Sequence, residues 1–340
     1  MQVDNALVER VRVLGAHAQH DGVINGVLDL ARELGPVGAS VGSDPVAYLR
    51  TLLSLGAGDL TVARVVEPHL DATAILAQAA DGDHEAVVPG PGDGVWGVYA
   101  AHGAGHHLLA SREGEGWVLT GRKPWCSLAG ELSHAVITAH TGPETTRAFA
   151  VRLDDPGVRH PEQAWVSRGL TRVRSTTLEL DGVPATPLGD DGWYLRRPGF
   201  AWGGIGVAAV WLGAAHALLS TLTEASLRRP PDQIASAHLG RADALLHAAD
   251  ATLVAAAVSI EAGEGVGEAG ALLAARVRAT CADAAEQLLT IVGHALGPGP
   301  LTGDDEHARR VADLTVYVRQ HHAERDLARL GALVLARQER

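Results

Sequence analysis

The period of apolar and polar positions changes twice along the chain. Near the N-terminus apolar side chains recur every three or four positions, the spacing of helices with one buried face. The spacing predicts a helix over Val23–Leu34. Ser43-Asp44-Pro45 is a helix-start signal, a side-chain acceptor for free N–H groups followed by proline at the first helical position. It predicts a helix over Val46–Leu55 that Gly56 stops, and a further helix over Leu60–Gln78 that begins after Asp59. Residues 80–95, ADGDHEAVVPGPGDGV, are a break rich in Gly, Pro and Asp.

Short runs rich in β-branched and aromatic residues follow. They are Val95–Tyr99, His107–Leu109, Trp117–Leu119, Ala135–Thr138, Phe149–Val151 and Thr176–Leu180. Turn clusters such as Arg112–Gly116 and Asp181-Gly182 separate them, so they read as a small antiparallel sandwich or barrel. After Pro198 the pattern is helical again. Gly204–Leu227, Ile234–Ala262, Gly270–Leu296 and His307–Leu335 predict four long helices with short connections, an up-and-down bundle. The chain is thus mainly α with a central β-domain: an N-terminal helical domain (1–90), a β-domain (91–197) and a C-terminal four-helix bundle (198–340).

Composition narrows the function classes. With 28 basic and 40 acidic residues the net charge is −12, and no basic face is visible, which argues against a nucleic-acid partner. The two cysteines, Cys126 and Cys281, are too far apart in sequence for a metal-binding CxxC pair. His102, His106 and His107 lie in a Gly-rich turn without a carboxylate at ligand spacing, so no metal is expected. The N-terminal stretch lacks the layout of a signal peptide, and Gly199–Thr223 reads as a buried core helix rather than a membrane span. A cytoplasmic location without membrane contact is the expectation. Two motif matches are discarded. Gly265–Gly270 fits G-x-G-x-x-G but follows a helix and carries Glu264 and Glu268, which would repel phosphate. Gly38–Gly42 fits G-x-S-x-G but also follows a helical stretch, not a strand.

Residues 115–127 read Glu-Gly-Trp-Val-Leu-Thr-Gly-Arg-Lys-Pro-Trp-Cys-Ser, and residues 169–185 run from Gly169-Leu170 through Ser175-Thr176 to Leu180-Asp181-Gly182-Val183. Here the sequence resembles the acyl-CoA dehydrogenases, through Gly116, Trp117, Leu119, Gly121, Lys123, Trp125 and Ser127 in the first stretch and more loosely in the second. The order of helices, β-domain and bundle is similar too. The resemblance implies the acyl-CoA dehydrogenase fold, an FAD cofactor and a small-molecule substrate such as a CoA thioester. It also implies a homodimer or homotetramer. The residues matching Trp125 and Ser127 sit against the flavin in that family. On chemistry alone, an indole followed by a hydroxyl can wall a flavin ring and meet its polar edge, or serve as a core aromatic and a turn residue. Arg228 and Arg229, a shortened form of a family motif that reaches a neighbouring subunit's FAD, and Arg309 are the candidates for its phosphates.

The resemblance also implies a catalytic Glu, and both family positions lack one. The matching stretch late in the bundle reads Leu314-Thr315-Val316-Tyr317-Val318-Arg319-Gln320, and no Asp or Glu stands between Gly192 and Thr223. On the last predicted helix Leu314, Val318, His321, Arg325 and Ala328 share a stripe, apolar above and His/Arg below. Related flavin monooxygenases of this fold carry a His near this point. His321 is therefore either a catalytic candidate or a satisfied interface histidine. Glu324 is either a base or a solvent charge. Three readings remain open: an FAD-dependent oxidoreductase acting on an acyl thioester or similar substrate, a flavin-dependent monooxygenase, and a non-catalytic subunit of a hetero-oligomer.

Overall fold

A computed structural model describes residues 1–21, 24–82, 89–90, 92–105 and 107–338. Val23, His106 and part of the 80–95 break lie outside the described residues. Four helices come first: α1 (Asn5–Asp21), α2 (Asn25–Ala39), α3 (Pro45–Gly58) and α4 (Leu60–Ala80). Local capping sets two of their starts. Asp44 accepts from the Ala47 N–H at 2.9 Å, and Asp59 accepts from the Val62 N–H at 3.0 Å. Pro68 stands inside α4, so the Arg64 carbonyl has no ladder N–H to receive.

The β-module comprises β1 (Trp96–Tyr99), β2 (Leu108–Glu113), β3 (Gly116–Ser127), β4 (His134–His140), β5 (Thr146–Arg152), β6 (Val158–Arg159) and β7 (Ser175–Leu188). The strand order is β1-β4-β2-β3-β7-β5, and β5 pairs back onto β4, so the sheet closes on itself. Most pairings are antiparallel, but β1–β4 and β2–β4 are parallel, which departs from the wholly antiparallel expectation. The expected turn at Asp181-Gly182 is also corrected. Leu119 pairs with Val183 and Gly121 with Leu180, so β7 runs through this dipeptide as a bulge with Gly182 at φ +65°.

The bundle follows: α5 (Trp193–Arg196), α6 (Pro198–Arg228), α7 (Gln233–Glu261), α8 (Gly267–Leu296), α9 (Gly299–Gly303), α10 (Asp305–Tyr317) and α11 (Glu324–Gln338). Helix α6 runs through the core with Ile205, Trp211, Leu218 and Leu222 buried. It meets α3 backbone to backbone. A Cβ on Gly213 would collide with the Leu53 carbonyl, and one on Gly56 with the Val210 carbonyl. By length and composition alone, α6 and α7 are each apolar enough to cross a membrane; α6 is two-thirds buried within the protein.

The last predicted helix is two helices. After Tyr317 the chain makes a 3-10 turn, Val318–Gln320, and Ala323 takes φ 47° before α11 begins. Side chains stabilise the break. Arg278 donates to the Gln320 carbonyl at 2.9 Å, and the His322 N–H donates to Asp326 at 3.1 Å. The single stripe from Leu314 to Ala328 is therefore not formed.

Candidate functional site

The C-terminal end of β3 is shaped by a second bulge. Lys123 pairs with Leu178 and Cys126 with Thr176, so Pro124 and Trp125 together oppose one residue of β7. Proline has no N–H to give the ladder, and the strand must accommodate it. Trp125 takes φ 61°, a left-handed conformation costly for a bulky side chain, and remains 60% exposed. Its neighbours turn inward. Ser127 is 8% exposed, its Oγ lies 2.7 Å from the Ser175 Oγ, and its carbonyl accepts from the Tyr99 hydroxyl at 2.9 Å.

Behind Ser127 runs a partly buried polar seam on α4, with Glu67 its most enclosed member. Arg64, Glu67, Asp71 and Gln78 follow one another at helical spacing on a helix that is otherwise mostly apolar, apart from Thr61, His69 and Thr73. Arg64 reaches the Ser127 Oγ at 3.4 Å and the Glu67 Oε2 at 3.2 Å. The same Oε2 accepts from the Tyr317 hydroxyl at 3.1 Å, linking α4 to the end of α10. Burial raises the Glu67 carboxyl above its ordinary pKa, with Arg64 opposing. Burial, and then the adjacent Glu67, pushes the Tyr317 phenol well above its ordinary value. Further along, Arg197 donates to Asp71 at 3.1 Å and to Gln78 at 3.3 Å, and lies 5.2 Å from the Tyr194 ring. Room for the seam comes from glycine at the start of α6, since a Cβ on Gly203 would come within 2.8 Å of Asp71.

Trp211 connects the seam to the bundle. Its ring meets both Tyr317 and His321 edge-on at 6.5 Å, and the Arg278 guanidinium lies 4.9 Å from it. His321 is buried in the break before α11, with its Nε2 4.0 Å from Asp326, and burial lowers its pKa. Glu324 is exposed at the first position of α11.

The structure brings Trp125 and Ser127 to one place and leaves the three arginines elsewhere. Arg228 and Arg229 are exposed at the far end of α6, with Arg228 3.9 Å from Glu224. The α6 rise puts them roughly 37 Å from Gly203. Arg309 is mostly buried and paired within the chain, 2.6 Å from Asp305 and 3.4 Å from Asp59. Among the described residues no cluster of three or more His, Cys, Asp or Glu is arranged to hold a metal ion. Gly265–Gly270 spans the α7–α8 turn, where the Gly265 carbonyl accepts from Trp202 at 2.7 Å. Arg64, Glu67 and Asp71 were not among the sequence candidates. Their signal was present: ionisable residues three and four positions apart on a helix whose other positions are nearly all apolar.

Residues 190–317 match the family model of the acyl-CoA dehydrogenase C-terminal domain. Among solved structures, a KijD3 in complex with FMN and dTDP-3-amino-2,3,6-trideoxy-4-keto-3-methyl-D-glucose aligns with TM-score 0.81 and 21% identity, over 98% of this chain and 92% of that one. Butyryl-CoA dehydrogenase from Megasphaera elsdenii aligns with TM-score 0.81 and 19% identity, over 98% of this chain and 99% of that one. FMN-bound TdsC from Paenibacillus sp. A11-2 aligns with TM-score 0.79 and 14% identity, over 98% of this chain and 97% of that one. No curated protein matches by sequence. The chain has the acyl-CoA dehydrogenase fold, and the resemblance seen in its sequence holds across its C-terminal bundle and its overall architecture.

Proposed function

We propose that this protein is a flavin-dependent oxidoreductase whose flavin ring lies against Trp125 and Ser127. The observation that carries the reading is the bulge at Pro124-Trp125. It holds an indole outward at a strained φ beside a buried hydroxyl, whereas a core aromatic would turn in. These residues fit the group: Trp125 offers a flat apolar wall, and Ser127 a polar atom at its edge. Bound there, a flavin supplies two-electron oxidation of the substrate. The chain's own residues orient it and hold the nearby protons, through Arg64, Glu67 and Tyr317.

FAD is the form proposed, with its diphosphate reaching Arg228 and Arg229 of a second copy. Arg309 fits this role less well, because Asp305 and Asp59 already meet its charge. FMN, which the KijD3 and TdsC structures hold, is the alternative. The substrate proposed is small, an acyl thioester or a similar compound. A homodimer or homotetramer would cover Ile234, Val254 and Val258, which α7 leaves exposed.

The test is reconstitution. The purified protein should take up FAD or FMN with a flavin absorption band, and bound flavin should quench tryptophan fluorescence. Trp125→Ala should weaken binding about tenfold. A protein that binds neither flavin would sink the reading. A flavin-dependent monooxygenase is the second reading. It is favoured by the absence of acid at both family positions and by His321 buried against Trp211. On that reading His321→Ala abolishes oxygen-dependent turnover, and an unchanged rate removes the role.

A further inference from the structure

Neither bundle position expected to carry a carboxylate has one, since Val318 follows Tyr317 and residues 192–223 contain no Asp or Glu. A carboxylate reaches the same place from another element. We infer that Glu67, projecting from α4, is the acid–base residue of the flavin site. This rests on the flavin reading above and deepens it.

Three observations support the assignment. First, Glu67 bonds the hydroxyl of Tyr317, the residue that ends the match to the acyl-CoA dehydrogenase C-terminal domain. Helix α4 therefore meets the bundle beside Val318, one of the two positions where no carboxylate stands. Second, one oxygen carries both partners. Oε2 receives Tyr317 at 3.1 Å and Arg64 at 3.2 Å, while among the described residues no donor is in hydrogen-bond reach of Oε1. That oxygen is left to take a proton. Third, Arg64 ties the carboxylate to Ser127, so the proton-holding group and the flavin wall belong to one network. An ion pair kept for stability alone would gain little, because desolvating both charges costs about as much as their pairing returns. The neighbouring acid, Asp71, is bound to Arg197 and does not reach Tyr317. Burial favours the protonated form of Glu67, as does Asp71 on the same helix. Arg64 on α4, Arg278 on α8 and the Tyr317 hydroxyl on α10 favour the ionised form.

The step assigned is the removal of a proton from the carbon next to a thioester carbonyl. The C–H bond breaks, its electron pair stays on the substrate as an enolate, and the proton bonds to Glu67 Oε1. No oxidant is needed for this half of the reaction.

The experiment compares wild type, Glu67→Gln and Glu67→Asp, with butyryl-CoA as probe. Flavin-loaded protein is held anaerobically with the probe in D2O, and deuterium at the carbon next to the carbonyl is read by mass spectrometry. Wild type should exchange above the buffer rate, and Glu67→Gln should lose about a hundredfold or more. Glu67→Asp, which keeps an acid if the Gln variant folds poorly, should exchange slowly. In flavin-free protein, the infrared band of a protonated carboxyl should titrate above the ordinary glutamate range and vanish in Glu67→Gln. Exchange retained in Glu67→Gln, a wild type that binds flavin but shows no exchange, or no band lost in the variant would each overturn the inference. Failure of wild type to bind flavin would instead strike the reading beneath it.

Discussion

Helices α4 and α7 are both long and mostly apolar, yet they break the usual rule of burial in opposite directions. Helix α4 is largely enclosed by protein and carries Glu67 buried, with Arg64, Asp71 and Gln78 half-buried along the same face. Helix α7 flanks the bundle and leaves Ile234, Val254 and Val258 in solvent. A polar group removed from water must find a partner inside or a ligand. An apolar face left in water gains by being covered from outside. On the function proposed above, chemistry lies along α4 and assembly along α7. Variants on α4 should therefore act on the fold and the site, and variants on α7 on contacts between copies.

The largest effect is expected at the α4 ion pair. Glu67→Ala strands the mostly buried Arg64, and it should cost about 3 kcal/mol in denaturant unfolding. A loss below 1 kcal/mol would mean that water already reaches the pair. Next is the close contact behind α4. Gly213→Ala drives a Cβ into the Leu53 carbonyl, and about 1–3 kcal/mol should be lost as α3 and α6 separate.

Two buried groups give stability opposite pH slopes. Burial raises the Asp313 pKa to about 7 from 3.8, with Leu170 N–H donation opposing. The native state then holds a proton that the unfolded chain releases. Its contribution is full below 3.8, falls as pH rises, and is gone above about 7. Burial lowers the His69 pKa, on α4, to about 4 from 6.5. Its contribution is present above 6.5 and lost as pH falls through about 4. Melting temperature followed against pH should lose the first slope in Asp313→Asn and the second in His69→Gln. On α7 the expected change in protomer stability is smallest. Val258→Glu should shift it by under about 0.5 kcal/mol while weakening self-association in sedimentation. A drop comparable to that of Glu67→Ala would place α7 in the protomer's own core and undo the comparison.

How much could be read in advance depended on the range of the interaction. The starts of α3 and α4 were legible because Asp44 and Asp59 bond N–H groups three residues away. The β texture was legible for the same local reason, alternation, whereas Trp125 and Ser127 were singled out by a resemblance carried in a short motif. The break after Tyr317 was not. It contains no Gly or Pro between Val318 and Ala323, and part of its support comes from Arg278 on another helix. The polar residues of α4 were visible as letters, but nothing local told which would meet.

By itself, the sequence determined the order of helices, β-module and bundle, because apolar period and capping act within a few residues. It also carried the resemblance to the acyl-CoA dehydrogenases. Only the tertiary structure decided that Trp125 faces outward while Ser127 faces in, since β7 imposes the bulge at Pro124-Trp125. Only the tertiary structure joined Glu67 to Tyr317, 250 positions later in the chain. Burial compels that meeting: once α4 is enclosed, its charged groups must take whichever partners the surrounding elements bring within hydrogen-bond reach.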